Sequence, residues 1–497
     1  LGTDNETTIE VTDATTNTAA AADINTIVAK ITTNGSSASV SVNDTTITTI
    51  TGTASAVKQV YTSKIAGDVT GVGNEKITIS GETTSSASDI NAIVSATSGT
   101  VNTITNVTTI SGSLTNIQAF QASVASGDIV SGLNYNVVLT DNATLVAQDI
   151  LDLIGPGAGK TFGTINIADV TKVTGTETEI TNFLTKVASN TISADGSINI
   201  DIYDADTPVT TVTAANLNAF DEYTLGTVAA PQATTVTGTV GAIAEALTSS
   251  GISVASDIDA TFDTIATADA DDVTDINSIT AHTSGTVSGT LTGTAAILDD
   301  LNPNFGFSAT ANLTISVSDA QSGSSGVTAL NTISAASAGT VSASLSGNKT
   351  DLANLSTSGT DDAISITVTD AVDVSEGGTL AGKTTATIDF QNGVSDSLGN
   401  LSSDDGTTAT RSTDLAAILV DDVDVDVTVT GFTNPVTAAE VRQLNVIATG
   451  TSGGVTASIT GAKATLANLS TSGTDDAITI TVTDAVDVSE GGTLAGK

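Results

Sequence analysis

The chain contains no cysteine, no methionine, no tryptophan and a single histidine. Without cysteine there are no disulfides and no thiolate metal sites, a composition compatible with an exported protein that dispenses with redox chemistry. One histidine, His282, excludes a repeated Ser-His-Asp relay and any metal centre built on several imidazoles. Aromatic residues are 3% of the chain, too few to line the cleft that a glycoside hydrolase sets between its two carboxyl groups. Basic residues number 13 against 55 acidic ones, a formal net charge of −42. Nucleic acid is thereby excluded as a partner, because binding a polyanion needs a basic footprint. Apolar runs are short: "LAAILV" at Leu415–Val420 is closed at once by Asp421 and Asp422. A helix needs about 20 apolar residues to cross a bilayer, so no membrane span is expected.

What is present is repetition. The hydrophobic fraction of 39% is built mainly from Ala, Val, Ile and Leu, a composition suited to many thin layers. Five prolines against 45 glycines leave the turns mostly to glycine. "DAISITVTDAVDVSEGGTLAGK" at Asp362–Lys383 returns as "DAITITVTDAVDVSEGGTLAGK" at Asp476–Lys497, changed only at Ser365 against Thr479. The match extends backward at the same offset of 114, so residues 330–383 and 444–497 are near-duplicate blocks. "GTDNETTIEVTDA" at Gly2–Ala14 also aligns without a gap onto "GTDDAITITVTDA" at Gly473–Ala485. An active site needs its unusual residues once, whereas a stacked architecture needs each unit to offer its neighbour the same surface. The 497 residues read as one continuous repetitive array, expected to be part of a longer polypeptide.

Two kinds of segment alternate. Ile364, Ile366 and Val368 alternate with Ser365, Thr367 and Thr369, the pattern of a half-buried strand. Val441, Leu444 and Ile447 mark a short helix, with Thr437 and Glu440 placed for a capping box after Pro435. The helix word recurs as "ADINTI" from Ala22, "SDINAI" from Ser88, "ANLNAF" from Ala215 and "TDINSI" from Thr274. Strand words stand between: "KITIS" from Lys76, "INIDIYDA" from Ile198 and "LTISVSDA" from Leu313. Ile315 to Val341 is 26 residues and Val341 to Ile366 is 25. Strands joined through helices come out parallel. The expected fold is α/β: a right-handed parallel βα solenoid of strand–helix units of roughly 25 residues. The alternative is a string of small α/β repeat domains. The leucine-rich-repeat consensus is absent. Residues 221–251 and 393–422 read as irregular or loop-rich units, and Phe120, Phe183 and Phe220 as replacements for aliphatic core positions on helices.

Few motifs suggest chemistry. "GPGAGKT" at Gly155–Thr161 has three residues where a phosphate-binding loop has four between its glycines, and it follows a helical stretch instead of a strand. It reads as a helix end and turn. His282 reads as a solvent-exposed turn residue. The acidic doublets are better candidates, since oxygen-rich turns suit calcium. Asp271, Asp272, Asp361, Asp362, Asp475 and Asp476 are the candidate calcium ligands. The competing reading makes them solvated turns or helix caps, and neither an EF-hand loop nor the glycine-rich calcium nonapeptide occurs. Stacked strands would also align Thr367 and its equivalents into hydroxyl rows. Ice-binding solenoids use such rows; they serve equally as the polar face of a sheet, as glycosylation sites or as a lateral packing surface.

The succession "VTDA", a "DIN" or "LN" helix word, "TSGT", a short strand and "LANL" resembles the repeat regions of very large cell-surface proteins of marine cyanobacteria. Among these is the giant protein associated with swimming motility without flagella. The resemblance covers nearly the whole chain through low-complexity words and brings over no functional residue. It implies an extracellular or surface-layer location and a structural role, and it allows calcium dependence. The expected function is thus an extracellular structural protein that forms a fibre, surface layer or sheath by stacking of repeats, with the stalk of a large adhesin as the alternative. No enzymatic activity is expected. Self-association, head to tail or lateral, is the expected partnership, with cell-surface polysaccharide as a further candidate partner.

Overall fold

The computed structural model describes residues 8–12, 15–33, 38–103, 106–130, 134–154, 162–302, 311–356, 362–471 and 475–495. The chain forms two compact units, residues 1–233 with 249–255 and residues 234–248 with 256–497. Both are α/β, with short parallel strands alternating with helices, as the strand and helix words predict.

In the first unit each turn of chain, or coil, passes through two or three short strands and then one helix. Strands Thr49–Gly52, Lys76–Ile79 and Val101–Thr103 form one parallel ladder, with Ile50 beside Ile77 and Ile77 beside Val101. A second ladder joins Thr109–Gly112, Tyr135–Leu139 and Phe162–Asn166, and a third joins Lys172–Gly175, Asn199–Ile202 and Val228–Ala229. One strand per unit was expected, and the difference has a simple cause. Segments as short as Val69–Thr70 or Ile129–Val130 are two residues long and show no alternation to read.

The helices stand in a second row. Val57, Ile90, Ile117, Ile150, Ile180 and Leu217 each point from their helix into the core and are fully buried. The inward strand residues Ile50, Ile77, Ile110, Val137, Val173 and Ile200 are fully buried too. Each such side chain removed from water contributes about 1.5–3 kcal/mol. Phe120, Phe183 and Phe220 take core positions on three of these helices, as expected.

The second unit has longer strands. A parallel ladder runs through Thr235–Gly238, Asp259–Phe262, Val287–Gly293, Ala311–Val317, Val341–Gly347, Ala363–Val368 and Ile388–Phe390. Another joins Val394–Ser397, Val427–Thr430, Val455–Gly461 and Ala477–Val482. Ile364, Ile366 and Val368 face inward and are buried, and Leu352 and Leu355 are buried too. The helix Ala438–Ala448 carries the expected capping box of Thr437 and Glu440. Residues 221–251, read as irregular or loop-rich, hold strands Val228–Ala229 and Thr235–Gly238 and the helix Val240–Thr248. Thr235–Gly238 alternates Thr, Val and Thr as the other strands do, while Val228–Ala229 is too short to show any alternation. Residues 393–422 depart further from the repeat, because Ser402–Asp404 pairs antiparallel with Ala409–Arg411.

Candidate assembly surface

The polar residues of the repeated words make the ties between coils. At the end of one helix, buried Thr224 donates its hydroxyl to the carbonyl of Ile198 at 2.5 Å and accepts the N–H of Gly226 at 2.9 Å. The same strut is made by Thr283 to Ile258, Ser337 to Leu313, Thr384 to Asp362 and Thr451 to Val425. Each of these side chains also accepts the N–H two residues on, from Gly285, Gly339, Ala386 and Gly453. Glycine at the third position has a steric reason. A Cβ on Gly226 would lie 2.6 Å from the carbonyl oxygens of Ser197 and Ile198.

Asparagine in the helix word makes a second tie. The Asn91 amide donates to the carbonyl of Asn116, Asn331 to Asn354 and Asn445 to Asn468. Asn331 and Asn445 also accept the N–H of Ser356 and Ser470, bracketing the next coil from both sides.

The acid of the "VTDA" word makes a third. Asp370 accepts the first N–H of the preceding coil's helix at Lys349, at 2.8 Å, and Asp484 does the same for Lys463 at 2.7 Å. Asp141 and Asp319 cap Leu114 and Ala295 in this way. A carboxylate at a helix N-terminus satisfies an orphan donor and opposes the positive end of the dipole. These acids are not among the acidic doublets that stand out in the sequence. Their signal was a single aspartate at a fixed place in a repeated word.

The candidate calcium residues fall into three separate coils. Asp272 closes a capping box with Asp269 at the start of the helix Ala270–His282, and Asp271 is exposed beside it. Asp269, Asp271 and Asp272 also stand near Asp275, whose pKa is raised first by burial and then by these like charges. Asp362 is buried and accepts from the Ser334 hydroxyl at 2.7 Å and the Val341 N–H at 2.9 Å. Asp476 accepts the equivalent N–H of Val455 at 2.9 Å, while Asp475 is exposed. Asp361 lies outside the described residues, as does the segment 155–161. Among the described residues no three His, Cys, Asp or Glu side chains converge as a metal-ligand set. His282 ends its helix, exposed, with Nδ1 2.8 Å from the carbonyl of Ser278.

Outward strand residues do align into hydroxyl rows. Thr237, Thr261 and Ser288 are successive neighbours, with the last two hydroxyls 3.0 Å apart. Thr290 pairs with Thr314, Ser346 with Thr367, and Thr460 with Thr481. The rows break at charged residues: Asp389 follows Thr367. No helix among the described residues is long and apolar enough to cross a membrane. Comparison with known proteins finds no family model and no curated protein that matches the chain.

Proposed function

We propose that this chain is an extracellular structural protein whose stacked repeats build a fibre, surface layer or sheath, and that it catalyses no reaction. One observation carries the reading: the recurring Thr/Ser, Asn and Asp side chains are used as ties from coil to coil. A residue bound at the same place in coil after coil serves cohesion, and cohesion is what a load-bearing element requires. The resemblance to giant cyanobacterial surface proteins supports the same location and role. With a formal charge of −42 the stack repels itself, so the reading includes counter-cations, calcium among them, gathered on the acidic surface. Lateral contact between exposed hydroxyl rows, or between those rows and cell-surface polysaccharide, completes it.

Electron microscopy of native material tests this reading. Polymers or sheets that label with an antibody to the chain are the expected result. Label confined to isolated stalks beneath a distinct tip would overturn it in favour of an adhesin stalk.

A further inference from the structure

The short helices Ala295–Leu298 and Lys349–Leu352 occupy equivalent places in the second unit. Each starts under a carboxylate of the following coil, Asp319 or Asp370. Each ends in a turn tied to the preceding helix, through Asn277 to the carbonyl of Asp300 and through Asn331 to that of Asn354. Leu298 and Leu301 are buried around the exposed Asp299 and Asp300, just as Leu352 and Leu355 are buried around the exposed Ala353 and Asn354.

The later of these two turns holds a cation. Lys383 Nζ lies 2.9 Å from the carbonyl oxygen of Ala353 and 2.7 Å from that of Leu355. Lys383 stands three residues after the buried Leu380 and one before Thr384, which ties its coil to Asp362. The same place after the helix Gly323–Ala335 is three residues past the buried Ile333 and one before Ser337, and there the residue is Ala336. A methyl group reaches no carbonyl of the preceding turn. Accordingly, the carbonyls of Asp299 and Leu301 accept no hydrogen bond in the structure. The sequence changes in step. The turn served by Lys383 reads Ala353–Asn354, and the turn without a lysine reads Asp299–Asp300. Lys349, at the start of the later helix, is likewise replaced by Ala295 in the earlier one.

We propose that the turn Asp299–Leu301 binds a divalent metal cation, which takes the place of the Lys383 ammonium in the equivalent turn. The carbonyl oxygens of Asp299 and Leu301 are the acceptors that the two turns share. The carboxylates of Asp299 and Asp300 add the negative charge and further oxygens, a donor set suited to a hard cation. With few protein ligands the rest of the shell is water, so calcium and magnesium both fit. An exposed acid pair alone is a solvated turn; here the equivalent carbonyl pair already holds a positive charge one repeat later. The site goes beyond the cation atmosphere of the structural reading, which requires no particular residue.

Calorimetric titration of calcium into the full chain tests the site, in high salt so that diffusely held ions are screened. One saturable site per chain is expected. Asp299→Asn combined with Asp300→Asn is expected to weaken it by about tenfold or more. Asp257→Asn combined with Asp263→Asn removes the same charge from exposed positions elsewhere and is expected to leave it unchanged. Ala336→Lys supplies the ammonium that Lys383 supplies in the later turn. It is expected to abolish the saturable phase and to raise the melting temperature measured in chelator. Absence of a saturable phase in the unaltered chain overturns the proposal, as does full affinity in the Asp299 and Asp300 variant. Equal weakening by the Asp257 and Asp263 variant also overturns it, by reducing the binding to net charge. None of these outcomes touches the structural reading, which microscopy of native material decides.

Discussion

The hydroxyl of Thr224 donates to the carbonyl of Ile198, 26 residues earlier in the chain, and so joins two successive coils at 2.5 Å. This one side chain satisfies a strand carbonyl and, through Gly226, a turn N–H. Replacing it with isosteric valine leaves both without that partner. Thr224→Val is expected to lower stability by about 1–3 kcal/mol, and Thr224→Ser by much less. Gly226→Ala is expected to cost more than either, because its Cβ meets backbone that cannot move aside. Urea unfolding of the three variants checks the order.

Twin positions provide an internal control for burial. Ile366→Asp places a charge in the core and should cost several kcal/mol, since Ile366 is 2% exposed. Thr367→Asp, on the outward side of the same strand, should cost far less. Ile480→Asp, in the duplicate strand, should also be mild in the isolated chain because that strand is half-exposed. Equal losses at Ile366 and Thr367 in thermal melts would falsify the strand register.

Asp362 is a buried carboxylate held by Ser334 and Val341. Asp362→Asn offers one oxygen where two acceptors were used and brings an N–H₂ that needs new partners. The expected loss is about 1–3 kcal/mol. Asp476→Asn, at the half-buried twin, is expected to lose less. Chemical denaturation of both variants measures the difference.

Divalent cations should stabilise the chain by relieving self-repulsion. Chelator added at fixed ionic strength is expected to lower the melting temperature, with calcium and magnesium restoring it alike. Restoration by calcium alone would place the cation in a shaped site, because magnesium tolerates few geometries and dehydrates reluctantly.

The antiparallel hairpin at residues 402–411 should release in acid. Arg442 donates to Asp404 at 2.9 and 2.8 Å and holds its carboxyl below the ordinary value. The Asp405 carboxyl is lowered to about 2 by the N–H groups of Thr408 and Thr407, then by the Thr407 hydroxyl. A carboxyl whose folded pKa is depressed contributes stability above its unfolded value, and that contribution is lost as pH falls through the folded value. Hydrogen exchange at Ser403 and Thr410 is therefore expected to accelerate between about pH 4 and about pH 2. Arg442→Gln is expected to shift the titration of Asp404 upward. No change in exchange across that window would show that the ion pair does not hold the hairpin.

The sequence by itself determined the class of fold and the buried faces. Period-two alternation in "AISITV" and the spacing of Val441, Leu444 and Ile447 depend only on strand and helix geometry. Those residues are buried where the pattern puts them. Capping at Thr437 and Glu440 was legible for the same reason, since its partners lie three residues apart.

What only the tertiary structure decided are relationships across 20 or more residues. That Thr224 meets Ile198, that Asp370 caps Lys349, and that short strands sort into separate ladders all depend on how coils lie on one another. The same holds for the contrast between Val374 and Val488. Both begin the helix word "VSEGGTLA", and one is buried while the other is open to solvent. Local sequence is identical at the two sites, so it cannot encode the difference. Burial there is set by whether another coil lies on the face, which is a property of the neighbour.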